Sequence, residues 1–338
     1  MKPNLTHPPR RAHVALALLL LLVVSARADL EDQITKTFKV QAGGQLSVEA
    51  DRGSIEVKTV AEGDSVNIEV ARKARGSQSK AGQVLKDHVI TMTQDGNKVE
   101  VRAEYQGEKA SRWFGSSPDL QVKYLFTIPR RFDVDLKSAG GGIKVADLAG
   151  NAQVSTSGGS LAVEKIDGPV TGRTSGGNIN VASCHGPVEV NTSGGSVSLS
   201  ETVGDVTAKT SGGSIRAENV TGKAVLKTSG GSITIVNLKS PAVEASTSGG
   251  SISADLAEPP AEACSFRTSG GSITVKLAAP AAVDVDLRTS GGRVSSDFPV
   301  TTVVHGEQNK NELHGKINGG GPLVTARTSG GNVRLEKK

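Results

Sequence analysis

Apolar and polar positions alternate with a period of two through most of the chain. In one such segment Val188, Val190 and Thr192 share one parity, while Glu189 and Asn191 occupy the other. Strict alternation is typical of a β-strand that buries one face. Because segments of this kind recur from residue 34 to the C-terminus, the pattern predicts an all-β chain.

A tetrapeptide, Thr-Ser-Gly-Gly, interrupts the alternation nine times. Successive copies are 18, 18, 18, 18, 19, 21, 21 and 39 residues apart, and a degenerate copy begins at Ser138. Self-similarity at a short, nearly fixed period is typical of proteins that stack equivalent coils. The serines of the nine copies are Ser157, Ser175, Ser193, Ser211, Ser229, Ser248, Ser269, Ser290 and Ser329.

Two architectures fit this pattern of paired strands and repeated turns. The Gly-Gly pair could form tight hairpin turns in an antiparallel meander. Alternatively, each unit is one coil of a β-solenoid, with equivalent residues about 4.8 Å apart in parallel ladders. The second explains why both strands and both turns keep their identity, since each turn must nest on its neighbour and glycine tolerates close backbone approach. We therefore predict an elongated, parallel β-helix-like solenoid of about 18 residues per coil, flattened into two sheets.

The chain divides into three parts by sequence. Residues 1–28 have the features of a signal peptide, and residues 29–137 form an irregular β-rich portion that we interpret as first coils or a cap. Residues 138–338 form the repeat solenoid, interrupted by a polar, Gly-rich insertion at 299–321 that we expect to be a surface loop. A short helix is predicted at 80–86, and an exposed loop at 106–118 around Trp113 and Phe114.

The first 28 residues indicate export. Lys2, Arg10 and Arg11 precede an 11-residue apolar run, Val14–Val24, and Ser25–Ala28 supplies a small-x-small cleavage site. Eleven residues are too few to cross a bilayer, and no other segment is long and apolar enough to do so. We expect a cleaved signal, with an uncleaved membrane anchor as the alternative. The exported product is expected to be periplasmic, cell-surface or secreted, with no transmembrane segment in the mature chain.

Net charge excludes one class of function. The formal charge is +5, but residues 29–338 carry 35 basic and 34 acidic side chains. A protein that follows a phosphate backbone needs a strong basic excess on its folded part. Nucleic acid is therefore not an expected partner.

The residue types needed for catalysis or metal binding are scattered along the repeats. No repeat position carries a recurrent Asp or Glu, and the histidines fall in separate segments. Cys184 and His185 are neighbours, whose side chains usually point apart on a strand or turn. Cys184 and Cys264 lie about four coils apart, too far for a disulfide. We predict no catalytic residue, no metal or cofactor site and no intrachain disulfide.

One surface feature is non-random. The residue before Thr-Ser-Gly-Gly is basic in six of the nine units, and by parity it faces outward. Such a stripe could attach the protein to anionic glycans, teichoic acid, lipopolysaccharide phosphates or lipid headgroups. It could equally be a solvated strand face that discourages edge-to-edge aggregation. The six residues are Arg173, Lys209, Lys227, Arg267, Arg288 and Arg327.

The chain resembles a known bacterial family. The residues that carry the resemblance are the opening Phe38–Val40, Gly43–Val48 and Gly53–Val57, followed by the tandem Thr-Ser-Gly-Gly-Ser-Ile units. Together with the export signal, they are similar to the putative-adhesin domain family of exported β-solenoid proteins. The resemblance implies a surface β-solenoid and supplies no catalytic or ligand residues.

Three functions remain open from the sequence. The first is a non-enzymatic solenoid that presents a surface for adhesion or envelope interaction, without a cofactor, to an anionic polymer, a glycan or a surface protein. The second is a polysaccharide-active β-helix enzyme, which would need a cluster of carboxylates in a groove. The third is an envelope-stress sensor or scaffold that binds a protein at an open terminal strand.

Overall fold

The structure is a computed structural model that describes residues 29–107, 119–302 and 310–338. The predicted signal peptide, Trp113 and Phe114 lie outside these residues. In the described part of the chain, no helix is long and apolar enough to cross a membrane.

The described residues form 28 strands and one short helix. The first part contains β1 (Leu30–Lys39), β2 (Gly44–Ala50), β3 (Ser54–Val60), β4 (Ser65–Ala74), α1 (Gln78–Asp87), β5 (His88–Asp95), β6 (Lys98–Tyr105), β7 (Leu120–Pro129) and β8 (Phe132–Ser138). The regular coils contain β9 (Ile143–Ala146), β10 (Ala152–Thr156), β11 (Leu161–Glu164), β12 (Val170–Thr174), β13 (Ile179–Ala182), β14 (Val188–Thr192), β15 (Val197–Val203), β16 (Val206–Lys209), β17 (Ile215–Thr221), β18 (Ala224–Lys227), β19 (Ile233–Leu238), β20 (Val243–Ser246) and β21 (Ile252–Leu256). The last part contains β22 (Cys264–Arg267), β23 (Ile273–Leu277), β24 (Val283–Thr289), β25 (Val294–Ser296), β26 (Glu312–Ile317), β27 (Leu323–Thr328) and β28 (Val333–Lys337).

The strands form two 14-stranded sheets, and each repeat contributes one strand to each sheet. Sheet A contains β9, β11, β13 and their equivalents; sheet B contains β8, β10, β12 and theirs. Successive coils pair in parallel at an offset of 18 residues, as in Val170 with Val188. The predicted all-β solenoid with flattened two-sheet coils is confirmed, and the meander is wrong because the repeated strands run parallel.

The core between the sheets is built from three inward rows. Sheet A supplies pairs such as Ile179 and Val181, and sheet B supplies pairs such as Val188 and Val190, all about 1% exposed. The third row lies at the turn between sheet A and sheet B and was not predicted. Its members are Leu148, Ile166, Cys184, Thr202, Val220 and Leu238, all fully buried.

The repeated threonine is buried although it is polar, because its hydroxyl joins one coil to the next. In all nine copies Oγ1 donates to the carbonyl of the second glycine of the adjacent coil, at 2.6–2.9 Å. The second glycine is required by the same close approach. A Cβ at this glycine would lie 2.0–2.4 Å from the carbonyl oxygen of its neighbour in the stack.

The last repeat does not stack at the end of the solenoid. Strand β27 lies between β22 and β24, and β28 lies between β23 and β25. The ninth copy is therefore inserted between the seventh and the eighth. The first coil is inserted in the same way, since β2 lies between β6 and β8 and β3 lies between β7 and β9.

In the described residues, antiparallel strands cover both sheets at the N-terminal end and sheet B at the C-terminal end. At the N-terminal end β4 pairs with β1 and β7, and β5 pairs with β6. The helix α1 contacts β1, β4 and β5 there. It confirms the short helix that the sequence predicted at 80–86. At the other end β26 pairs with β24. The insertion at 299–321, expected to be a surface loop, thus contributes an edge strand.

Candidate functional site: a cationic row on sheet B

The strand register brings the position before Thr-Ser-Gly-Gly into one row on the outer face of sheet B. Arg173 pairs with Ser155 and Asn191, and Lys209 pairs with Asn191 and Lys227. We call this the cationic row. In order along the sheet, its members are Ser155, Arg173, Asn191, Lys209, Lys227, Ser246, Arg267, Arg327 and Arg288.

Each member faces solvent because its two neighbours in the strand are buried. Ala208 is fully buried and Thr210 is 6% exposed, and Lys209 between them is exposed. The alternation that builds the core therefore also positions the cations, at intervals of about 4.8 Å between adjacent strands.

The cations are not evenly distributed. Asn191 and Ser246 divide the row, so that Lys209 and Lys227 are adjacent and three arginines follow on consecutive strands. Arg327 occupies the middle of these three because the last coil is inserted.

Four of the six cations have acidic partners. The side chain of Arg173 lies 3.7 Å from Glu189, and that of Lys227 lies 2.7 Å from Glu244. Arg327 and Arg288 share Asp286, which also lies 3.1 Å from His314 Nδ1.

The two arginines determine the charge of Asp286. Burial alone would raise the pKa of this carboxyl group, but hydrogen bonds from Arg327 and Arg288 outweigh burial and hold it below its usual value. Asp286 therefore stays ionised and offsets one of the two arginine charges.

The remaining two cations, Lys209 and Arg267, differ from the other four. Among the residues that the structure describes, neither side chain forms an ion pair with an acid. Both are exposed. Their charges are therefore available to an external anion.

The row extends further than the sequence indicated. Lys137 pairs with Ser155 on one side and with Glu49 on the other, and Glu49 pairs with Arg102. Lys137 precedes the degenerate copy at Ser138, which was a usable signal. Arg102 could not be found, because it reaches the row only through the inserted first coil.

The structure separates Cys184 from His185. Cys184 is fully buried in the core, whereas the ring of His185 faces outward and its Nδ1 lies 3.0 Å from Asp167. Burial raises the pKa of both thiols, to about 11 for Cys264. Both cysteines are buried and free. In the described ranges, no three His, Cys, Asp or Glu side chains form a group that could hold a metal ion.

Comparison with known proteins identifies a family. The model of the family described as Toastrack DUF4097 matches residues 44–336. The search of curated proteins found no match.

Three similar solved structures come from Bacteroides, Parabacteroides and Clostridium species. The first is a "putative adhesin" from Bacteroides fragilis, with 14% identity, coverage of 91% of this chain and 97% of that chain, and a TM-score of 0.35. The second is a "putative lipid binding protein" from Parabacteroides distasonis, with 12% identity, 91% and 97% coverage and a TM-score of 0.32. The third is a "putative cell adhesion protein" from Clostridium sporogenes, with 11% identity, 91% and 100% coverage and a TM-score of 0.21.

Proposed function

The chain belongs to the Toastrack DUF4097 family, and from that premise we propose that it is an exported, non-enzymatic protein that binds an anionic polymer of the cell surface along the cationic row. The observation that carries the proposal is the pair of exposed cations, Lys209 and Arg267, that have no acidic partner among the described residues. An external anion is the partner that these charges lack.

The geometry of the row favours a polymer over a small anion. A single exposed ion pair contributes little, because water and salt screen it. A chain with repeated anionic groups can pair with several strands at once, since each contact raises the effective concentration of the next. The β-ladders fix the backbone positions of the row, so the polymer meets a preformed array.

The proposal is tested by neutralising four cations of the row: Lys209→Gln, Lys227→Gln, Arg267→Gln and Arg327→Gln. The probes are purified teichoic acid and lipopolysaccharide, with dextran as the neutral polymer. We expect the wild type to bind an anionic probe in low salt and to weaken as salt rises. The fourfold variant should bind at least about tenfold more weakly in low salt.

The matched control removes the same number of cations from the other sheet. Lys144, Arg216, Lys276 and Arg334 are all exposed on the outer face of sheet A. Their replacement by Gln changes the net charge equally and should leave the binding largely intact. Equal loss in both variants would show that net charge, and not the row, attracts the polymer.

A further inference from the structure

A second surface feature lies at the turn between sheet A and sheet B, across the coil from the Thr-Ser-Gly-Gly turns. It is a furrow of about 480 Å³ that runs along four consecutive coils, from Ser183 to Lys239. The furrow is separate from the cationic row, and nothing in the proposed function depends on it.

The first wall of the furrow follows from a repeated backbone conformation. Four residues after the start of β13, β15, β17 and β19, the backbone adopts a positive φ of 50–54°, at Ser183, Glu201, Asn219 and Asn237. The next residue points into the core as part of the third inward row. The side chains at the positive-φ positions line one side of the furrow.

The second wall is formed by the residues two positions further along the chain: His185, Val203, Thr221 and Lys239. Isolated parallel bridges place His185 beside Val203 and Thr221 beside Lys239. The two walls thus carry matched side chains once per coil, at the spacing of the strands.

Hydrogen bonds fix the first wall before any ligand arrives. Asn237 Nδ2 donates to Asn219 Oδ1 at 2.6 Å, and Asn219 Nδ2 donates to Glu201 Oε1 at 2.7 Å. Each amide nitrogen keeps a second hydrogen, and the Oδ1 atoms keep further lone pairs. The wall therefore offers fixed donors and acceptors to the furrow.

The backbone of the furrow is already paired. The N–H groups of Ser183, His185, Val203 and Lys239 all donate to carbonyl groups of neighbouring coils, at 2.8–3.0 Å. An extended peptide could not add here as a further strand, because strand addition needs a free sheet edge. Side chains alone must recognise the ligand.

The charges in the furrow nearly cancel. Glu201 is acidic and Lys239 is basic, while His185 is engaged with Asp167. Between them lie amides, a threonine hydroxyl and the methyl groups of Val203, which is 50% exposed. This combination suits a ligand with hydroxyl edges and apolar C–H faces and without charge.

From these observations we propose that the furrow binds a neutral, linear glycan, with one sugar unit on each coil. Sugar hydroxyls both donate and accept hydrogen bonds, as the amide side chains do. One unit of an extended β-linked glycan is about as long as one strand spacing of about 4.8 Å. Four coils therefore correspond to a tetrasaccharide.

The same turn carries ion pairs immediately before the furrow, which define its N-terminal limit. Lys165 lies 3.7 Å from Asp147 at the positive-φ position, and Arg130 pairs with Asp167 in the other wall. Asp147 and Lys165 occupy the positive-φ position that Ser183, Glu201, Asn219 and Asn237 occupy within the furrow.

The test measures the binding of cellotetraose, chitotetraose and tetragalacturonate by titration calorimetry and ligand-observed NMR. We expect at least one neutral tetrasaccharide to bind and the charged one to bind more weakly. The variant Asn219→Gly with Asn237→Gly removes both amides at positions where glycine adopts the required φ without strain. It should weaken binding by about tenfold.

Two further variants separate the furrow from the fold and from the cationic row. The pair Asp147→Gly and Lys165→Gly alters the same backbone position outside the furrow and should leave binding unchanged. Val203→Asp, at an exposed site, should abolish it. The fourfold variant of the cationic row should retain tetrasaccharide binding.

Several results would overturn the proposal. These are no binding of either neutral tetrasaccharide, unchanged affinity in the double glycine variant, or equal binding of tetragalacturonate. Loss of sugar binding in the cationic-row variant would place the ligand elsewhere and would also overturn it, whereas failure of anionic-polymer binding alone would affect only the proposed function.

Discussion

The middle of this solenoid and its two ends follow different rules of assembly. From Ala152 to Leu256 every coil pairs with the coil before it and the coil after it in the chain. At each end the terminal coil is placed one position inward, between two coils that are its neighbours in space but not both in sequence. The middle therefore grows by simple repetition, and the ends are closed by long-range contacts.

The difference concerns the exposed edge that every solenoid must protect. A terminal coil added in chain order would leave one side of two strands unpaired and free to fray or to associate. Here the terminal coils are paired on both sides, and antiparallel strands cover three of the four outermost parallel strands, the exception being β25 in sheet A. The terminal coils, which would be the weakest in a simple stack, are therefore internal.

Deleting the inserted last coil should have the largest effect on the stability of the solenoid. Deletion of residues 322–338 removes β27 and β28 from inside the stack, so β24 and β25 lose their parallel partners. We expect amide hydrogen exchange in 283–296 to approach that of an unfolded chain, while the coils before 240 stay protected. Hydrogen exchange measured by mass spectrometry checks this outcome.

The matched control removes a coil from the middle. Excision of residues 197–214 takes out one complete 18-residue unit and joins Ser196 to Ile215, which preserves the sequence pattern at the junction. Because the neighbours of the excised coil are equivalent, the shortened chain should fold with protected ends. If the C-terminal deletion were tolerated as well as this excision, the distinction between ends and middle would be wrong.

A smaller effect is expected from the close contact between turns. A Cβ at Gly213 would lie 2.0 Å from the carbonyl oxygen of Gly195, whereas a Cβ at Gly212 would lie 3.4 Å from its nearest atom. Gly213→Ala must push two coils apart and should lower the free energy of unfolding by about 2–3 kcal/mol. Gly212→Ala should change it by less than about 1 kcal/mol. Urea denaturation of the two variants gives the comparison, and similar values for both would contradict it.

The sequence contains enough information to predict the middle of the molecule. Period-two alternation determines which side chains are buried, and a fixed spacing of 18 residues determines which strands are equivalent. The outward position of the cationic row follows from the same parity. The furrow was not predicted, because the positive-φ positions of this turn along the solenoid carry Asp, Lys, Ser, Glu and Asn and so do not repeat one residue type.

The order of the coils at the C-terminal end could not be derived from the alternation, because the last copy repeats the motif of the others. One residue of the sequence nevertheless indicates which coil is outermost. In eight copies the residue after Gly-Gly is Ser or Asn, whose side chain accepts a hydrogen bond from the backbone of the next coil. The eighth copy has Arg293 there, and its coil is the outermost one. A coil with no successor needs no acceptor.

The hydroxyl ladder of the middle coils gives a third prediction. Thr210 Oγ1 donates to the Gly195 carbonyl at 2.7 Å and accepts from the Gly213 N–H at 3.3 Å. Thr210→Val keeps the shape and leaves both buried partners unsatisfied, so we expect a loss of about 1–3 kcal/mol in the free energy of unfolding. Thr207→Val, on the half-exposed outer face of β16 just before Thr210, is the control and should be nearly neutral. Equal losses would mean that strand propensity and not the hydrogen bonds accounts for the effect.

The N-terminal end is stabilised by a different kind of polar contact. The buried guanidinium of Arg72 donates to both oxygens of Asp32, and to the carbonyls of Leu85 and His88 at 2.9 and 2.7 Å. The ring of His88 is buried in turn and lies 3.4 Å from the Tyr124 hydroxyl. The middle coils use neutral hydroxyls for this purpose, so the ends should respond more strongly to pH.

Asp51 tests this last difference and should give the smallest effect. Burial disfavours its charged form, but its interactions with His88, the Tyr105 N–H and Arg52 outweigh burial and lower its pKa below the ordinary 3.8. Because the folded state favours the carboxylate more than the unfolded state does, Asp51 adds stability above that pH, and this contribution is lost as pH falls through the lowered pKa. The unfolding midpoints of the wild type and Asp51→Asn should therefore converge on acidification below about pH 4. A difference that stays constant from neutral to acidic pH would show that the carboxylate charge does not stabilise this end.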